Sequence, residues 1–126
     1  MSIKLPDINA DYLQFRNIEI VRGDTFGLQV RLLVNGVPAT ITAETKVTFE
    51  ISGRETTPVY QRVYTIDNTE QDIDGYINIS MAPSETATLR KSDNYTYELE
   101  WLLNIDTIYT VLNGNIKVID DKIRHG

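Results

Sequence analysis

Apolar and polar residues alternate without a break from Asn94 to Trp101, with Tyr95, Tyr97, Leu99 and Trp101 on one face and Thr96, Glu98 and Glu100 on the other. A helical period would scatter both sets around the axis, so the segment reads as a strand with one buried side. The same period recurs along the chain. Phe26, Leu28, Val30, Leu32 and Val34 mark a strand over 25–34; Val47, Phe49 and Ile51 mark one over 46–52; Ile77, Ile79 and Met81 mark one over 76–81. A first strand over 17–21 ends at Arg22-Gly23-Asp24, where glycine tolerates positive φ and aspartate can bond its own backbone. Over 59–66 both parities are apolar, Val59 and Val63 against Tyr60, Tyr64 and Ile66, which predicts a strand buried on two sides or lying at an interface.

Punctuation between these runs completes the outline. Asn35-Gly36 is a two-residue turn signal, and Val37-Pro38 after it suits a short edge segment because proline cannot donate to a ladder. Residues 67–75 form a polar loop closing on Asp74-Gly75, and Pro83 to Leu89 has the start signals of one short helical turn, near residues 84–90. Strands over 93–103 and 107–119 make a hairpin through Asn104-Ile105-Asp106. In the last strand Ile108, Leu112, Ile116 and Val118 share a face with Gly114, which there signals a bulge or a close backbone approach. About seven strands with regular turns define an all-β domain over 16–119, a β-sandwich with a small barrel as the rival. Residues 1–15 carry Ile3, Leu5, Ile8, Leu13 and Phe15 with no period and read as an extended arm expected to dock on another subunit; 120–126 read as a charged surface tail.

Composition narrows the function. At 126 residues the chain is expected to be one domain. Twelve basic residues against 18 acidic ones leave a net charge of −6, which opposes loose binding to nucleic acid or anionic lipid, so neither partner is expected. No cysteine is present to form a disulfide, a thiol nucleophile or a thiolate metal site. No apolar run reaches a membrane-spanning length and the N-terminus lacks a secretory core, so synthesis in the cytoplasm is expected.

Candidate chemistry is sparse. The one histidine, His125, is next to last, which leaves no place to build a catalytic triad or a histidine metal site. Glu98 and Glu100, about 7 Å apart by strand rise, read as a solvated outer face. The acids at 70–75 begin like an EF-hand loop, but Met81 stands where that loop requires glutamate, leaving only a loose calcium site at Asp67, Asp72 and Asp74 to set against a plain polar hairpin. Arg22-Gly23-Asp24 matches an adhesion tripeptide by chance at a turn already expected, and the sequons at Asn78 and Asn94 both lie inside expected strands. Tyr60, Tyr64, Tyr76 and Tyr109 can face away from the core, as an interface or as a sugar-stacking platform. The interface is preferred because sugar sites usually add an outward tryptophan, whereas Trp101 belongs with Leu99 and Tyr97. No catalytic residue, cofactor or bound metal is expected.

The order of segments resembles a family of bacteriophage virion domains typified by the N-terminal domain of the baseplate upper protein. The similarity spans about 17–119. It rests on Val21-Arg22-Gly23-Asp24-Thr25-Phe26, Val34-Asn35-Gly36-Val37-Pro38, Val47-Thr48-Phe49-Glu50-Ile51, Asp74-Gly75-Tyr76-Ile77, the 82–89 segment, the 95–101 strand and Leu112-Asn113-Gly114-Asn115-Ile116-Lys117-Val118 in that order. The resemblance implies an immunoglobulin-like antiparallel sandwich acting without catalysis as a tail, baseplate or connector adaptor in the virion. Its implied partners are other virion subunits, in a homo-oligomer or multicopy symmetric assembly. A capsid decoration protein and a carbohydrate-binding attachment module are the alternatives. Longer family members continue past the sandwich, so a receptor-binding role is not expected here.

Overall fold

The computed structural model describes residues 2–4, 8–9, 13–34, 36–38, 45–53, 58–65, 76–90, 94–104 and 106–120. The strands run β1 (Ser2–Lys4), β2 (Ile8–Asn9), β3 (Gln14–Phe15), β4 (Ile18–Arg22), β5 (Phe26–Val34), β6 (Val37–Pro38), β7 (Lys46–Ser52), β8 (Pro58–Thr65) and β9 (Tyr76–Met81). After the helical turn α1 (Pro83–Thr86) come β10 (Tyr95–Asn104) and β11 (Thr107–Asp120). They form two sheets, so the arrangement is an all-β sandwich and the barrel alternative falls away. The smaller sheet is built on β5, which pairs antiparallel with β9 and β6 and parallel with β1 and β2. In the larger sheet β3 and β4 lie parallel to β11, followed antiparallel by β10, β7 and β8.

Alternation turns into burial as period two requires. Tyr95, Tyr97, Leu99 and Trp101 face inward with Val47, Phe49 and Ile51, and Leu28, Val30, Ile77 and Ile79 meet them from the smaller sheet. Phe49 sits at the centre: its ring stacks on Phe26 at 6.5 Å and tilts against Tyr97 at 5.9 Å. Such offset aromatic contacts add to the area they bury.

One phase expectation fails in β11. Leu99 lies opposite Leu112 but Glu100 lies opposite Thr110, so Val111 is an extra residue. Val111 and Leu112 are consecutive and both buried. A one-residue bulge reverses every side chain beyond it. Ile108, expected on the face of Leu112, therefore points to solvent, while Tyr109 packs half-buried against the core. Gly114 marks the close approach instead: a Cβ there would stand 1.8 Å from the Arg16 carbonyl oxygen and 3.1 Å from the Tyr97 ring. The Tyr97 hydroxyl donates to the same carbonyl at 2.6 Å, and the Arg16 amide donates to the Asn113 carbonyl at 2.8 Å.

A second correction concerns the N-terminal segment. Ser2–Lys4 lies beside Gly27–Gln29 of its own chain, and Ile8, opposite Leu32, is 1% exposed in the chain's own core. Ile8 thus cannot serve a partner contact in this conformation. Hydrogen-bonded parallel pairing satisfies backbone groups that a free arm would leave to water.

The helical turn is tied to the turn before β5. Pro83 opens α1, and the Ala82 amide donates to Glu85 Oε1 at 2.8 Å. The fully buried Thr86 hydroxyl donates to the Asp24 carbonyl at 2.7 Å and accepts from the Gly23 amide at 3.0 Å. Gly23 has φ 85°, a region other residues avoid. Arg22 Nε donates to the Leu89 carbonyl at 2.7 Å, and its guanidinium lies 3.9 Å from Asp120. The adhesion-like tripeptide is thereby held as a structural turn. Leu5, the 66–75 loop with Asp67, Asp72 and Asp74, and 121–126 with His125 lie outside the described residues.

Candidate functional site

The expected contact residues are dispersed. Tyr64 is a further correction: it is buried, and its hydroxyl donates to the Ser80 carbonyl at 3.2 Å and accepts from the Ser80 amide at 3.0 Å. It clasps β8 of one sheet to β9 of the other rather than meeting a partner. The Arg62 guanidinium lies 4.9 Å from the centre of the Tyr64 ring. Tyr60 is half-buried with its ring edge-on to Phe49 at 6.3 Å. Burial, then Tyr64 and Glu85, push its phenol above the ordinary value, with Arg62 acting against them. Tyr109 is half-buried as well. Ile3 pairs with Leu28 and Tyr76 with Arg31 through their backbones; their side chains, like Leu5, lie outside the described residues.

What faces solvent is the outer surface of the larger sheet and its margins. Leu13 and Phe15, 56% and 64% exposed, flank it at β3; Val59 and Val63, each 50% exposed, flank it at β8. Val59 and Val63 were expected to be covered, by the core or by an interface, and the fold leaves them on the outer face of a strand paired on one side to β7. Exposed β-branched residues on such a strand suit addition of a partner strand.

Between these margins the outer face is polar. One row across it runs Phe15, Asn113, Glu98, Glu50, Gln61, and the next runs Asn115, Thr96, Ser52. A concavity of about 410 Å³ opens over these rows beside β3, with Phe15 on its wall. Glu50 and Glu98 are direct cross-strand neighbours, and Gln61 Nε2 donates to Glu50 Oε2 at 3.3 Å. Their outward direction follows from period two, but their meeting depends on the pairing of β7 with β10, which no local signal supplies. Among the described residues no group of histidine, cysteine or acidic side chains is arranged to hold a metal ion.

No protein-family model matches the chain, and no curated protein matches it. Among solved structures it is similar to the N-terminal domain of phage TP901-1 ORF48, with a TM-score of 0.55 and 9% identity over 90% of this chain and 94% of that one. The likeness shows a shared fold over nearly the whole of both chains.

Proposed function

We propose that the protein is a non-enzymatic structural subunit of a bacteriophage virion, an adaptor of the tail, baseplate or connector region that works through contacts with other subunits. The observation that carries this reading is the near-complete fold likeness to a phage protein domain. The collinear segments that resemble baseplate upper protein domains support the same reading. The exposed margins give it a physical route. Val59 and Val63 on β8 can receive a partner strand, and Leu13 and Ile108 offer separate apolar points on the larger sheet. Repeated weak contacts of this kind become firm attachment in a symmetric multicopy assembly.

Gold-labelled antibody against the protein, applied to intact particles, tests the reading. Label at the tail tip or neck supports the adaptor role, and label across the head shell supports capsid decoration instead. Absence of the protein from purified particles would overturn the virion assignment.

A further inference from the structure

The concavity beside β3 has a chemistry that subunit docking does not use. Its floor carries hydroxyls from Ser52 and Thr96, amides from Asn113 and Asn115, and the facing carboxylates of Glu50 and Glu98. Glutamate and serine are depleted at the centres of protein interfaces, which favour apolar and aromatic anchors. Of the two aromatic residues that line it, Tyr97 is buried and Phe15 is an exposed ring. Like charges directly opposite on neighbouring strands are destabilising. Neither Glu50 nor Glu98 has an ion-pair partner among the described residues. Two carboxylates and two amides set in adjoining rows therefore present acceptors and donors, most of which no described residue consumes.

We propose that this concavity is a saccharide-binding site. A pyranose has a C–H face that stacks on an aromatic ring and a rim of hydroxyls, each both donor and acceptor. In an oligosaccharide with one ring stacked on Phe15, the neighbouring units would direct hydroxyl donors to Glu98 and Glu50, two and three strands away, and hydroxyl acceptors to the Asn113 and Asn115 amides. The two carboxylates and the net charge of −6 select against uronate or other acidic sugars. The ligand class is accordingly a neutral or N-acetylated hexose oligosaccharide.

Saturation-transfer NMR and calorimetry of the full chain against short cello-, malto-, galacto- and chito-oligosaccharides test the assignment. At least one should bind; Phe15→Ala and Glu98→Gln should each weaken it about tenfold. Thermal unfolding of Phe15→Ala should stay unchanged, and Glu98→Gln should melt no lower than the parent because it removes a like-charge neighbour. Lys46→Gln, exposed at the far end of β7 from the concavity, should bind as the parent does. The proposal is overturned if none of these sugars binds, or if binding survives both substitutions. It is equally overturned if a galacturonate oligomer binds as tightly as the neutral sugars, or if only a lysine-rich peptide occupies the face, which would make it a protein contact.

Discussion

The β10–β11 hairpin and the N-terminal segment belong to the same sandwich, yet they are attached by opposite means. The hairpin strands are neighbours in sequence, pair antiparallel over most of their length and bury alternate residues from Tyr95 to Trp101. In the N-terminal segment the described strands attach through short parallel pairings, β1 and β2 to β5 and β3 to β11. Antiparallel neighbours need only a tight turn, whereas a parallel pair needs partners brought from far along the chain. Pattern and connection reinforce each other in the hairpin. In the N-terminal segment single anchors such as Ile8 and the approach of Arg16 to Gly114 hold what pattern does not.

The comparison breaks most sharply at the centre of the hairpin's buried face. Trp101→Ala should cost about 4 kcal/mol by removing a fully buried indole, and urea unfolding would show it; a loss near zero would mean that the inner face is not the core. Ile8→Ala should cost about 3 kcal/mol if the N-terminal segment is part of the cooperative fold. An unchanged midpoint with lost assembly would instead return that segment to a partner-docking role. Gly114→Ala sets the two regions against each other, since its methyl group would meet the Arg16 carbonyl. A destabilisation of about 2 kcal/mol is expected, with faster amide exchange at Arg16 than in the hairpin core. Tyr64→Phe removes one hydroxyl from the inter-sheet clasp and should cost about 1 kcal/mol.

The last effect is one of pH and is confined to alkaline solution. Burial pushes the Tyr97 phenol up to about 12 from 10.0, with Arg16 pulling the other way. Below pH 10 both folded and unfolded states keep the proton, so the contribution is complete. Between pH 10 and 12 the unfolded chain releases it first, and stability falls. Tyr97→Phe should flatten that decline in denaturation midpoints taken across the window; an unaltered slope would assign the decline to other groups.

Most strands were legible because a half-buried strand writes its own period into the sequence. The 46–52 and 76–81 runs coincide with β7 and β9, and the turn expected near 84–90 overlaps α1, which runs from Pro83 to Thr86. Ile108 was misplaced because a bulge inserts one residue without any change in composition. Tyr64 was misplaced because an inward tyrosine whose hydroxyl meets Ser80 has the same local pattern as one facing a partner. Of the candidate saccharide site, the outward parity of Glu50, Glu98 and Thr96 could be read, but their company with Phe15 and Asn113 could not.

Period-two hydrophobicity by itself determined the all-β class, the span of the principal strands and which of their faces would be dry, because burial acts on residues two apart in one segment. Tertiary structure alone decided that Ser2–Lys4 and Ile8 return to β5, that Arg16 passes over Gly114, and that Phe15 stands beside Asn113 and Glu98. Those contacts join segments far apart in the chain through backbone pairing, and backbone groups are the same at every residue, so the side-chain order does not announce them.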